Sequence, residues 1–124
     1  MEKLYIKPTQ TSLVVSLDPR SGQLFFTGRA RPEDSAAFFN PIISWMEDYG
    51  TNPAENTVCT FKLEYFNSAA RKCMTDVFSI LDFLHKSGKK VSVLWQYDEN
   101  DEGMKETGEE YKELFSMPFE LENY

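Results

Sequence analysis

Sulfur and imidazole are scarce in this chain: it has two cysteines, Cys59 and Cys73, and one histidine, His85. Two cysteines make no disulfide framework, and with a single histidine they complete no His/Cys zinc set at a familiar spacing. Both read as small buried hydrophobes. Clustered glycine is missing too. Gly22, Gly28, Gly50, Gly88, Gly103 and Gly108 are scattered, whereas nucleotide loops pack glycines at fixed offsets so that backbone can approach phosphate. Positive charge is in deficit, with 13 Lys+Arg against 20 Asp+Glu, a net charge of −7 and a pI near 4.7. That is the wrong sign for tracking nucleic-acid phosphates or for polybasic attachment to an anionic membrane. No run approaches the roughly 18 apolar residues of a membrane span, and the opening MEKLYIKPTQ lacks the apolar centre of a signal peptide. A cytoplasmic protein without nucleic-acid or membrane partners is expected.

What the chain does hold is core material. It is 124 residues long and 41% hydrophobic, with ten Phe, six Tyr and two Trp, enough for one domain, residues 1–124, to fold without a covalent staple. The acidity is local. Residues 98–124 contain ten acids against Lys105 and Lys112, while residues 1–97 are close to neutral.

Periodicity gives the order of elements. Leu4–Ile6 suits a short edge strand, and residues 13–17 and 23–29 are β-rich runs joined through Asp18-Pro19-Arg20-Ser21-Gly22, a hairpin turn. Phe38, Ile42, Trp45 and Tyr49 recur at helical spacing, predicting a helix from about Asp34 to Gly50 that must accommodate Pro41. Residues 58–66 alternate, with Cys59, Phe61, Leu63 and Tyr65 on one face. Asn67-Ser68 opens a helix whose stripe is Ala70, Met74, Val77, Leu81 and Leu84. Residues 90–97 form the next strand, 102–115 an acidic helix and 119–122 a last strand. The expected fold class is α/β: a single-domain mixed β-sheet with about three helices, arranged as a sandwich.

Candidate chemistry is sparse. Asp98, Asn100, Glu102, Gly103 and Glu109 fall at the offsets of a calcium loop, but such a loop joins two helices and here a strand runs into it, so a solvated helix start is the better reading and no metal is expected. His85 lies at the polar end of the central helix with no catalytic motif around it. Glu64, Asp76 and Asp82 could supply paired carboxylates to a small enzyme only if the fold made them converge. A plain structural or dimerising module is the other alternative. Ser68 stands apart. As the N-cap of the central helix it would accept from an N–H of the first turn, and a phosphoryl group on its hydroxyl would meet the positive end of the helix, with Arg71 and Lys72 one turn away.

Glu64–Leu84 (EYFNSAARKCMTDVFSILDFL) resembles the matching stretch of the SiaC-like regulatory phosphoproteins of bacteria, and so, in the same order, do Phe38–Tyr49, Val91–Glu102, Glu109–Leu114 and Ser116–Leu121. The resemblance spans roughly residues 3–122. It implies a fold like the anti-sigma-factor antagonist (STAS) domain, with no catalytic residues and no cofactor. It further implies a partner switch in which a Ser/Thr protein kinase phosphorylates the start of the central helix and a PP2C-type phosphatase reverses it. The unphosphorylated form would bind a diguanylate cyclase or other output protein, with cyclic di-GMP and biofilm formation as the readout. Ser68 matches the phosphoacceptor, with Asn67, Ser68, Arg71 and Lys72 as the partner-binding turn. Where the family has Thr followed by two serines, this chain has Ser68-Ala69-Ala70.

Overall fold

The first hairpin closes on itself through Asp18, whose carbonyl accepts from Gly22 N–H at 3.0 Å and whose carboxylate accepts from Arg20 N–H at 3.0 Å. Gly22 has φ +73, and a Cβ there would lie 2.0 Å from the Asn56 carbonyl oxygen, so glycine is required on both counts. The computed structural model describes all 124 residues, Met1–Tyr124. In chain order the elements are β1 (Leu4–Ile6), β2 (Val14–Leu17), β3 (Gln23–Ala30), α1 (Ser35–Thr51), β4 (Asn56–Phe66), α2 (Ser68–Lys86), β5 (Lys90–Tyr97), α3 (Glu102–Leu114) and β6 (Phe119–Asn123).

The strands form one six-stranded sheet in sequence order, antiparallel from β1 to β3 and parallel from β3 to β6. Each helix is a crossover between neighbouring parallel strands. Crossovers of one hand that all step the same way across a sheet fall on the same face, and burial follows that rule. Leu24, Phe26, Cys59, Phe61, Val91, Val93, Trp95 and Phe119 are buried under the helices, whereas Tyr5 and Phe25 are exposed and Thr60, Lys62, Leu94 and Gln96 half-exposed. The expected mixed α/β architecture is present as two layers, one sheet and one helical layer.

Between those layers 26 buried residues make one cluster, with the α2 stripe Ala70, Met74, Val77, Leu81 and Leu84 at its centre. Phe78 widens that stripe, packing on Phe61 at 4.8 Å and on Tyr111 of α3 at 4.8 Å between ring centroids. No helix is long and apolar enough to cross a membrane.

Burial refines the pattern of α1 and corrects one expected face of β4. The buried ridge of α1 is Phe39, Ile42, Met46 and Tyr49, while Phe38 and Trp45 are only partly covered. Trp45 is turned aside because its indole N–H donates to the Glu2 carbonyl at 2.8 Å, holding the N-terminal segment. Tyr65 does not continue the buried row of Cys59, Phe61 and Leu63: it is half-exposed. The cause is a β-bulge. Gly28 pairs with Leu63 but Arg29 pairs with Tyr65, so Glu64 is the extra residue and every later side chain of β4 changes face.

Candidate phosphoacceptor turn

All four parallel strands point their C-terminal ends to one edge of the sheet, so the N-termini of α1, α2 and α3 gather there. Each helix is capped by an Asx side chain: Asp34 accepts from Ala37 N–H at 3.0 Å, Asn67 from Ala70 N–H at 2.8 Å, and Asp101 from Met104 N–H at 3.0 Å.

The cap of α2 is therefore Asn67, not Ser68. Asn67 lies in extended backbone (φ −94, ψ 173), its N–H donates to the Ala30 carbonyl at 3.0 Å, and its own carbonyl accepts from Arg71 N–H at 2.9 Å. Pairing of Ala30 with Phe66 fixes where β4 stops, which puts Asn67 at the junction and Ser68 one residue into the helix. Ser68 is thus the first helical residue, exposed, and relieved of capping. Its neighbour Ala69 is also exposed, and Ala70 is buried in the core.

Cations surround this turn. Lys72 is exposed and in no ion pair; Arg71 pairs with Glu110 of α3. The same guanidinium lies 5.7 Å from the centroid of the Tyr111 ring, whose hydroxyl donates to the Arg71 carbonyl at 3.2 Å and lies 3.1 Å from the Thr75 hydroxyl. The hydrogen bond that Arg71 donates to Glu110 holds the guanidinium further toward its charged form, and burial pushes the Tyr111 hydroxyl up against the opposing effects of Thr75 and Arg71. Arg31 is a further cation at this edge of the sheet. It follows Ala30, the residue on which Asn67 is hydrogen-bonded, and its exposed side chain lines a polar depression with Arg29 and Thr9. Pairing between β3 and β4 brings its backbone neighbour Ala30 to the start of α2.

The acids proposed for alternative chemistry do not converge. Glu64 pairs with Arg29 at 3.1 Å beside the bulge, and Asp76 is exposed on α2. Asp82 is buried at the other end of α2, where it accepts from Met117 N–H at 2.9 Å and Ser116 N–H at 3.1 Å and meets Lys86 at 3.2 Å. In the calcium-like stretch, Asp98 accepts from Asn100 N–H at 2.8 Å in a turn, Asp101 caps α3, and Glu102 and Glu109 lie on the helix itself. No three His, Cys, Asp or Glu side chains are grouped to hold a metal ion. Cys59 is buried, and burial pushes its thiol far up, away from reactivity.

Comparison with known proteins agrees along the whole length. The model of the SiaC family regulatory phosphoproteins matches residues 6–124. An uncharacterized protein of Pseudomonas aeruginosa (strain UCBPP-PA14) is 31% identical over 122 residues, 98% of this chain and 97% of that protein. The crystal structure of apo-SiaC from Pseudomonas aeruginosa superposes with a TM-score of 0.92 at 30% identity, covering 98% of this chain and 99% of that one. A chain in the crystal structure of the diguanylate cyclase SiaD in complex with its activator SiaC, from the same organism, gives 0.93 at 30% identity over 98% and 99%.

Proposed function

The chain belongs to the SiaC family of regulatory phosphoproteins, and from that premise we propose that it is the reversibly phosphorylated member of a cytoplasmic partner switch, with Ser68 as its acceptor. A Ser/Thr kinase transfers the terminal phosphoryl group of ATP to Ser68 Oγ, releasing the hydroxyl proton and ADP. A PP2C-type phosphatase returns the hydroxyl and inorganic phosphate using water. The unphosphorylated turn, Asn67, Ser68, Arg71 and Lys72, docks on an output protein, a diguanylate cyclase, and thereby adjusts cyclic di-GMP and biofilm formation. The chain itself performs no catalysis.

The observation that carries this reading is the division of labour at the start of α2. Asn67 makes the cap, so Ser68 presents an exposed hydroxyl, free of capping, beside the first-turn N–H groups and two cations. Phosphorylation adds about −1.5 to −2 charges at that point. The helix start and its cations stabilise the anion, so the fold survives the modification. A partner surface shaped to the bare turn does not, because it must bury a strongly hydrated group without matching donors. The solved assembly of a similar chain with a cyclase supports an output partner of that kind.

The test is to incubate wild type and Ser68→Ala with the cognate Ser/Thr kinase and ATP, then to measure phosphate incorporation and affinity for the partner diguanylate cyclase by calorimetry. Wild type should take up one phosphate and lose affinity. Ser68→Ala should take up none and keep it. Equal labelling of the two, or unchanged binding by stoichiometric phospho-Ser68, would sink the proposal.

A further inference from the structure

We infer that Arg71 is the reader of phospho-Ser68 and that it reads by exchange: the phosphoryl group draws the guanidinium away from Glu110, so the modification on α2 is transmitted to α3. The inference rests on Ser68 as acceptor, and adds the side chains through which the signal leaves it.

Residues three apart on a helix are surface neighbours, which places the Arg71 side chain within reach of a group on Ser68. In the unmodified protein Arg71 is already committed. One nitrogen, Nη2, contacts one oxygen of Glu110, and the guanidinium lies over the Tyr111 ring. Both partners are open to water, with 41% and 61% of their side chains exposed, and exposed carboxylate pairs of this sort hold weakly. A phosphoryl dianion competes on better terms. It offers three acceptor oxygens, and the planar fork of arginine matches phosphate with two parallel hydrogen bonds. Both edges of the guanidinium that can make such a pair, Nε with Nη2 and Nη1 with Nη2, include the Nη2 that now holds Glu110, so a two-bond grip on phosphate requires that contact to open. Lys72 and Arg31 are the other cations at this edge; neither is paired with α3, so neither can carry the signal there.

The exchange changes the α2–α3 surface more than the phosphate alone would. Glu110 loses its counter-charge in a helix that already exposes Glu106, Glu109 and Glu113. The Tyr111 ring loses its cation, while its hydroxyl stays anchored to the Arg71 carbonyl backbone. A surface that presented an Arg71–Glu110 pair between two helices then presents an unpaired Glu110 among Glu106, Glu109 and Glu113.

Phosphoserine can be incorporated at position 68 during synthesis, so no kinase enters the measurement. The phosphoryl group is titrated by ³¹P NMR in four proteins, the parent, Arg71→Gln, Glu110→Gln and the double variant, with Arg71→Lys as a charge-preserving control. Beside an arginine the phosphoserine should lose its last proton below the ordinary value near 6, by roughly half a unit or more. Glu110→Gln should lower it further by freeing Arg71, and Arg71→Gln should restore it. Arg71→Lys should fall between, having charge without the fork. The effect of Glu110→Gln should vanish in the Arg71→Gln background. The inference is overturned if Arg71→Gln leaves the phosphoserine titration unchanged, or if the influence of Glu110 survives without Arg71. These outcomes are independent of the labelling test: Ser68 could fail as a kinase substrate with the exchange intact, or be labelled with no exchange.

Discussion

Two glycines in α3 should respond to the same substitution with opposite signs. Helical glycine is normally a weakness, and replacing it by alanine gains about 0.4–1 kcal/mol through backbone entropy. Gly103, exposed in the first turn, is such a case, because an added Cβ meets only Asp101 Oδ1 at 3.7 Å. Gly108 is not. A Cβ there would stand 2.5 Å from Trp95 Cδ1, 2.8 Å from Trp95 Nε1 and 3.1 Å from Leu121 Cδ2. Trp95 has nowhere to retreat, since it is buried against Phe61 and Phe119 and its indole N–H donates to the Met104 carbonyl at 3.0 Å. Overpacking of this kind costs about 1–3 kcal/mol, which exceeds the entropic gain and leaves Gly108→Ala destabilised by about 1–2 kcal/mol. For a 124-residue domain an unfolding entropy of about 2.1 cal/mol/K per residue converts each kcal/mol to roughly 4 °C. Calorimetry should show Tm falling by about 4–8 °C for Gly108→Ala and rising by about 2 °C for Gly103→Ala. The Trp95 indole N–H resonance should move only in the first. A Gly108→Ala protein as stable as wild type, with that resonance unmoved, would mean that α3 does not pack on β5 as described.

The separation of cap from acceptor gives a second test: Asn67→Ala should cost about 1 kcal/mol in urea unfolding, while Ser68→Ala stays within about 0.5 kcal/mol; equal losses would return the cap to Ser68. Leu81, fully buried at the centre of the core, should cost about 2–5 kcal/mol on truncation to alanine, and a loss under about 0.5 kcal/mol would place it at the surface. Asp82 should show its role through pH. Burial pushes its carboxyl up, yet the Met117 N–H, Lys86 and Ser116 outweigh that and hold it below the ordinary carboxylate value. A carboxyl depressed in the folded state contributes stability above its unfolded pKa, near 3.9, and loses it as pH falls through the folded value. The destabilisation by Asp82→Ala should therefore be full at pH 7 and shrink below about pH 4; a deficit that does not shrink on acidification would refute the assignment.

Element order was legible because each change of period coincided with a turn signal: Gly22 after the hairpin loop, Asn67-Ser68 before α2, Pro118 before β6. What failed depended on contacts distant in sequence. Trp45 keeps helical spacing with Ile42 and Tyr49, but the partner of its indole is the Glu2 carbonyl, 43 residues away. The face of Tyr65 depends on a bulge created by pairing with β3, and no alternation pattern announces an extra residue. Asn67 and Ser68 are both good capping residues, so only the end of the ladder at Phe66 decides between them. The candidate site was legible as a stretch, with Ser68, Arg71 and Lys72 local to one turn. Glu110, which pairs with Arg71 from 39 positions away, and Arg31 were not.

Because the bond that begins α2 is made by Asn67 and the hydroxyl beside it bears no structural duty, selection can act on the two residues separately. On the proposed reading, substitutions at position 68 change which enzymes recognise the turn without drawing on the stability that keeps the chain folded. Substitutions at position 67 draw on that stability directly, whatever the partners. A lineage can then exchange acceptors, retune its kinase or discard the switch by single steps that each leave a folded intermediate, and duplicated copies can diverge into insulated pathways.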